Sequence, residues 1–271
     1  MRARRASVCA LTNLRARRPS SVRERTFAAL AAQDNAPVRA RAIANQLLAA
    51  LPRSTRQALG AALEPATLAF GEILHERGAP IAHLYFPCEA MVSLLVPLQD
   101  HVDVEVALVG REGLVGASLA LGIVHSPVRA LVQGAGSALR LDAARFRREL
   151  ANDPALRRGM HRYLHGLMAQ IAQSGACSRF HVVEARLARR LLMTRDHMRS
   201  ASFGMTHERI ARMLGVRRVG VTEAASSLQR RKLIAYSRGN ITIVDEHGLE
   251  AACCACYRVG RREAGAPPYV R

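Results

Sequence analysis

Apolar positions between residues 205 and 245 recur first at helical and then at strand intervals. Ile210, Ala211 and Leu214 share one helical face, Gly215 follows, and Val216, Val221, Ala224 and Leu228 start a second helical period. The spacing predicts two helices joined by a tight turn. Thr206 can accept a backbone N–H where the first helix begins, Ala211 is small where a second helix crosses closely, and Gly215 permits the positive φ that ends a helix. With the apolar residues turned inward, Arg217, Arg218, Thr222, Glu223 and Ser226 face outward. Two short apolar runs, 233–236 and 241–244, flank Ser237, Arg238, Gly239 and Asn240, which predicts a hairpin after the second helix.

Upstream, Ile43, Leu47, Leu48, Leu51, Leu59 and Leu63 are spaced as on one or two short helices interrupted at Pro52. After Pro65 the period shortens. Short apolar runs alternate with Gly and Pro, and Val102, Val104, Val106 and Leu108 alternate with Asp103, Glu105 and Ala107, the pattern of a half-buried strand. Many short strands of this kind predict an antiparallel sandwich or jelly roll. Asn152 or Asp153 can cap a helix whose first turn contains Pro154. Leu156, Met160, Tyr163, Leu167, Ile171 and Ser174 then follow at three- or four-residue steps, a narrow seam of the kind that pairs helices. A further helix is predicted over 183–198, with a domain boundary near 178–181.

Charge adds a partner to this outline. The 271 residues carry a formal +19, and every basic residue except Lys232 is Arg. From Thr206 to Arg238 eight Lys and Arg stand against two Glu, a formal +6, the sign expected of a phosphate-binding face. An arginine pair on the first exposed turn of a second helix suits the major groove, because guanidinium can bind the O6 and N7 of guanine together. Candidate DNA contacts are therefore Thr206, His207, Arg217, Arg218, Thr222, Glu223, Ser226 and Arg238. No apolar run approaches the ~20 residues needed to span a bilayer, so a cytoplasmic protein without a membrane partner is expected. Residues 1–45 hold ten Arg against Glu24 and Asp34. Three readings of the start stay open: a disordered basic arm over 1–42, a start codon placed too early, or a targeting segment.

The strings THERIARMLGVRR, VT, LQRRKLI and YSRGNITIVD resemble the C-terminal DNA-binding domain of the Crp/Fnr superfamily of bacterial transcription regulators. LPRSTRQAL, GEILHERGAPIAHLYFP, VGREGLVG and residues 127–146 resemble its sensory β-barrel, in the same order. The resemblance implies an α+β protein: a cyclic-nucleotide-binding-like β-roll over 43–152, a dimerisation helix over 153–180, a winged helix-turn-helix over 181–257 and a tail over 258–271. It implies a homodimer with Leu156, Met160, Tyr163, Leu167 and Ile171 at the dimer axis, a palindromic double-stranded operator, and RNA polymerase as a candidate further partner. Arg218 aligns with a base-contacting arginine of the family. Val219 stands where relatives often carry Glu and Glu223 where they often carry Arg, so the family's operator does not transfer.

Relatives that bind cyclic nucleotides use a Gly-Glu pair and a later Arg-Ser or Arg-Thr pair. Here Gly116-Ala117 and Ser126-Pro127 occupy those places. A buried cyclic phosphate needs charge-assisted partners, so a cyclic nucleotide is not the expected effector. Glu112 and Arg129 are the candidate substitutes, against the plainer reading of a turn carboxylate and a surface arginine. Iron–sulfur members place cysteines near the N-terminus, where only Cys9 lies, so no such cluster is expected. Cys253, Cys254 and Cys256 form one local group, read as buried or idle because no C-x-x-C spacing or nearby His completes a zinc site. His161 and His165, four apart, lack a third ligand nearby, and no metal or other cofactor is expected. No catalytic constellation appears in either domain, so an enzyme is not expected. The expected function is a sequence-specific, homodimeric transcription regulator controlled through the β-roll. The alternative is a constitutive architectural DNA-binding protein without effector.

Overall fold

The computed structural model describes residues 42, 44–98 and 103–258. Cys9, Ile43 and Val102 lie outside the described residues, as do the expected arm apart from Ala42 and the expected tail apart from Arg258. Two short helices, α1 (Gln46–Ala49) and α2 (Arg53–Gly60), lead into the sheets. Asn45 anchors them. Its side chain accepts from the Leu48 N–H at 3.0 Å and donates to the carbonyls of Pro87 and Gly113, each at 2.9 Å, so a fully buried amide is satisfied.

Seven strands form two antiparallel sheets. β1 (Glu64–Leu68), β7 (Gly136–Asp142) and β3 (His83–Pro87) pair in that order. The second sheet runs β2 (Ile73–His75), β6 (Arg129–Gly134), β4 (Met91–Pro97) and β5 (Asp103–Val109). Leu68, Val92, Leu94, Val109, Val132 and Ala138 close one apolar core, and Leu84, Phe86, Leu139, Leu141 and Phe146 belong to another that includes helix residues. β4 is buried on both faces from Met91 to Leu95, unlike a strand at a wetted surface. Its outward residue Ser93 explains why: the hydroxyl donates to Glu105 of β5, which is in turn covered by a helix of the C-terminal half.

Helix α3 (Ala143–Asn152) ends one residue before α4 (Pro154–Phe180), which has 27 residues and is about 40 Å long at the α-helical rise. Asp153 makes the break. Its carboxylate accepts from the N–H groups of Ala155 at 2.7 Å and Leu156 at 3.1 Å, while the Thr55 hydroxyl donates to its other oxygen at 2.5 Å. One face of α4 lies on the β-roll of its own chain. Leu156 and Met160 are fully buried there, the Tyr163 hydroxyl donates to the Leu114 carbonyl at 2.9 Å, and Leu167 packs on the strand core. Gly113 permits this close approach, since a Cβ there would lie 2.6 Å from the Tyr163 oxygen.

Of the residues expected at the dimer axis, Leu156 and Met160 are buried within their own chain, and Tyr163 and Leu167 are half-buried against it, because an apolar period that can pair two helices equally suits packing on a sheet. Of the five residues assigned to the dimer axis only Ile171 is exposed, at 40%. The helix carries a second apolar stripe, about a third of a turn away, with Leu164 half-buried and Met168 69% exposed. His161 and His165 are also on the exposed side.

α5 (Val183–Met198) then crosses back over the second sheet. Its Arg190 forms an ion pair with Glu105, their side chains 4% and 12% exposed. Both charges are withdrawn from water, so each depends on the other. Glu105→Ala is expected to cost about 3–5 kcal/mol, since it strands a buried guanidinium, whereas the double change Glu105→Leu with Arg190→Met should recover most of that. Denaturant midpoints of the wild type and the two variants check this. A loss below about 1 kcal/mol for the single change, the range of exposed pairs, would show that the pair is effectively solvated.

Candidate nucleic-acid interface

After α5 the chain forms α6 (His207–Leu214) and α7 (Arg218–Arg230), followed by the strands β9 (Ile234–Ser237) and β10 (Asn240–Ile243) and the helix α8 (Glu246–Ala252). Before them, the short strand β8 (Ser202–Gly204) pairs with β10, giving a three-stranded wing. The Thr206 hydroxyl accepts from the Arg209 N–H at 3.3 Å and starts α6. Gly215 ends it at φ 62°, in the left-handed region that costs glycine little. Arg238 and Gly239 both have positive φ, 49° and 78°, the turn geometry that follows the twist of a two-residue hairpin.

The inner faces of α6 and α7 meet in one core. Ile210, Ala211, Met213, Val221, Ala224, Ala225 and Leu228 are buried in it with Leu187, Leu191 and Leu192 of α5. Burial of that stripe turns Arg217, Arg218, Thr222, Glu223 and Ser226 outward, and all five are exposed. Val219 is 67% exposed between them, an apolar side chain on an otherwise polar face. No side chain caps α7, so its first N–H groups and the positive end of its dipole stand open beside the arginine pair. Glu223 has no ion pair among the described residues. Arg238 is exposed at the wing tip.

Two of the candidate contacts serve the domain itself. His207 is half-buried, stacked on Tyr236 of the wing with ring centroids 4.2 Å apart, and its Nδ1 lies 3.1 Å from the Thr222 hydroxyl. Burial, reinforced by nearby Arg218, lowers its pKa, so the neutral ring is favoured. His207 thus joins α6, α7 and the wing. Thr206 is exposed but its hydroxyl is engaged in capping.

The opposite side of α6 docks on the β-roll. Arg209 donates from Nε to the Gln133 side chain and from a terminal nitrogen to the Gln133 carbonyl, both at 2.7 Å, and its guanidinium lies 4.3 Å from the Phe70 ring centre. Burial, with Arg190 nearby, lowers its pKa to about 10, which leaves it charged at neutral pH. Arg186 of α5 donates to the Leu214 carbonyl at the end of α6. A cleft of about 220 Å³ opens between β5, α4, α5 and α6, lined in part by Val106, Gln170, Arg189 and Met213.

The two candidate effector residues are each engaged within the chain. Glu112 accepts from the Gly110 N–H at 2.8 Å and lies 3.4 Å from Nδ1 of His197 on α5, whereas Arg129 bridges Glu76 and Asp103, each at 2.8 Å. Each has its own partners, His197 for Glu112 and Glu76 with Asp103 for Arg129. Ser126 is buried and donates to the Val128 carbonyl at 2.7 Å. A grouping that the sequence reading did not connect does form: Cys177 and His181 at the end of α4 meet Cys254 and Cys256 after α8. The signal was present as a Cys and a His four apart on one helix and a C-x-C pair elsewhere, but their partnership is a tertiary fact.

Comparison with known proteins bears on the fold and on the C-terminal domain. Residues 185–252 match the family model of the Crp-like helix-turn-helix domain. Among solved structures, FixK2 from Bradyrhizobium japonicum is similar at 14% identity, covering 71% of this chain and 98% of that one with a TM-score of 0.61. A Crp/Fnr-family transcriptional regulator from Thermus thermophilus is similar at 19% identity, covering 70% of this chain and 97% of that one with a TM-score of 0.58. A Crp-family transcriptional regulator from the same organism is 25% identical over 74% of this chain and 97% of that one, with a TM-score of 0.56. No curated protein sequence matches the chain. Among the described residues no helix is long and apolar enough to cross a membrane. The chain thus has the fold of the Crp/Fnr transcription regulators, and its residues 185–252 match the Crp-like helix-turn-helix domain.

Proposed function

We propose that this protein is a homodimeric, sequence-specific DNA-binding transcription regulator whose DNA affinity responds to a signal at the β-roll. The observation that carries the reading is the exposed face of α7. Arg217, Arg218, Glu223 and Ser226 are exposed, with Thr222 also exposed but its hydroxyl engaged by His207, on a helix whose other side is buried, beside a wing tipped by Arg238. A helix so held can enter a major groove while the wing reaches the flanking phosphates. Glu223 is free to accept from a cytosine amine, and Val219 to meet a thymine methyl. The basic start of the chain would add affinity without sequence information.

A second copy is the partner that suits the exposed stripe of α4. Leu164, Met168 and Ile171 lie on a long helix whose other face is already taken, and pairing two such helices about a two-fold axis would present two copies of α7 to half-sites of a palindrome. Control through the β-roll is supported by the contacts of Arg190 with Glu105 and of Arg209 with Gln133 and Phe70, which give the sensor a direct hold on α5 and α6. A ligand acts only through different affinity for two arrangements. The engagement of Glu112 by His197 and of Arg129 by Glu76 and Asp103 favours a second reading, a constitutive architectural DNA binder. Operator affinity that stays the same before and after exposure to cell extract, reductant and oxidant would select that second reading.

Two outcomes are expected. With an operator obtained by selection from random DNA, Arg218→Ala should cost ~1–3 kcal/mol and relax preference at one base pair per half-site. Arg238→Ala should weaken all sequences alike and reduce the salt slope by about one unit per lost phosphate contact. Titration of single-base operator variants at two salt concentrations separates them, and equal, uniform losses would mean that Arg218 does not read bases. For assembly, Met168→Glu with Ile171→Glu should yield folded monomers by light scattering with weakened operator binding, while an unchanged dimer mass would place the subunit contact elsewhere.

A further inference from the structure

Four side chains of ligand type, drawn from two distant parts of the chain, converge at the C-terminal end of α4. Cys177 is buried on its last turn, and His181 is the residue that caps the helix four positions later, which sets both on one side. Cys254 and Cys256, separated by one residue, arrive from the winged domain just after α8, and both are buried. The potential ligand atoms of all four lie within 4.8 Å of one another. Two separations are known closely: Cys177 Sγ to Cys254 Sγ and Cys256 Sγ to His181 Nδ1, each 3.6 Å.

The two 3.6 Å separations are those expected between ligands of one tetrahedral ion, and the 4.8 Å bound keeps all four atoms within reach of a single ion. An ion with metal–sulfur bonds of about 2.3 Å and metal–nitrogen bonds of about 2.0 Å spreads its four ligand atoms roughly 3.5–3.8 Å apart. We propose that Cys177, His181, Cys254 and Cys256 form a structural zinc site, three thiolates and one imidazole, that staples the end of α4 to the segment following the winged domain. Thiolate and imidazole donors select zinc over magnesium or calcium, and four protein ligands leave no open coordination position, so the site holds the fold together and performs no chemistry. The atoms are too close together for an iron–sulfur cluster, whose ligands are spread around several metal centres.

The surroundings suit the charge of such a site. On binding, each of the three thiols releases its proton to solvent and His181 coordinates as neutral imidazole through Nδ1, so that Zn²⁺ with three thiolates carries a net −1. Arg189 is buried against Cys177, and its Nε has no hydrogen-bond partner. An anionic centre at this place gives that buried guanidinium a counter-charge. The Gln173 amide donates to Cys256 Sγ at 2.9 Å, the kind of outer contact that orients a coordinating sulfur. Cys253, whose thiol donates to the Cys254 carbonyl at 3.1 Å, falls outside the four-residue group and is not a ligand.

The site goes beyond DNA binding and can be tested without DNA. The full chain, untagged, is purified under reducing conditions from zinc-supplemented cells, and its metal is measured by plasma mass spectrometry. About one zinc per chain is expected, retained in Cys253→Ser and largely lost in Cys177→Ser and Cys256→Ser. Should those variants fold poorly by circular dichroism, Cys256→His keeps a four-ligand site and the wild type substituted with cobalt reads the donors directly. Tetrahedral d–d bands with thiolate-to-cobalt charge transfer are expected, the charge transfer weakened in Cys256→His and unchanged in Cys253→Ser. Chelation should lower the melting temperature, and zinc but not magnesium should restore it. Wild-type protein that holds no zinc and takes up no tetrahedral cobalt overturns the proposal, as does bound iron with cluster absorption. A Cys177–Cys254 disulfide found by mass spectrometry in the protein as purified would make the cluster a redox pair instead.

Discussion

The ion pair between Arg190 and Glu105 lies where the two halves of the chain meet, and the packing around it follows from the need to keep both charges partnered. Glu105 stands on the outer face of β5, a position that water would cover if the β-roll were alone. Since α5 brings a buried arginine to it and Ser93 adds a hydroxyl, the outer face of β4 and β5 becomes interior. Charges removed from water to this degree contribute little net stability, but separating them is expensive. Such a contact favours one docked arrangement over many loose ones. Arg209 on Gln133 and His197 beside Glu112 extend the same polar seam along the sheet.

The long helix α4 divides its surface between tasks. Its Leu156–Met160–Tyr163 face closes the β-roll, which leaves Met168 and Ile171 exposed and Leu164 half-buried in one chain. Its last turn turns Cys177 towards the segment that follows the wing. Any rotation of α4 about its axis would therefore be felt by the β-roll, by the exposed stripe and by the cysteine cluster together. Zinc at that cluster would restrict such rotation at the end nearest the winged domain. The second fastening of the same region is Arg195, which reaches Asp196, Glu246 and Tyr257 and so ties α5 to the residues around α8.

The helix-turn-helix was legible in the chain itself because its determinants are local. Thr206, Ala211, Gly215 and the period of Ile210, Leu214, Val221 and Leu228 lie within two turns of the features they specify, and the turn of Arg238 and Gly239 is a property of four residues. The α+β class was legible for the same reason, as the change from period two to period 3.6 is written along the chain. Which apolar stripe of α4 faces inward was not. Periodicity records that a helix has an apolar side and is silent on what covers it; in the folded chain Leu156 and Tyr163 rest on the chain's own β-roll.

Side chains far apart in sequence were decided only by the tertiary structure. Glu112 takes His197 as its partner and Arg129 takes Glu76 and Asp103, whereas Cys177 and Cys254, 77 residues apart, come within 3.6 Å. A single pair of this kind is fixed by the docking of whole elements, here α4 against the end of α8, and no local pattern encodes that docking. The amino-acid sequence by itself determined the recognition helix, its outward arginines and the basic charge around them, because short-range periodicity and capping suffice for these. The tertiary structure alone decided which faces of α4 are spent and which cysteines meet a histidine, because those depend on the burial of surfaces contributed from opposite ends of the chain.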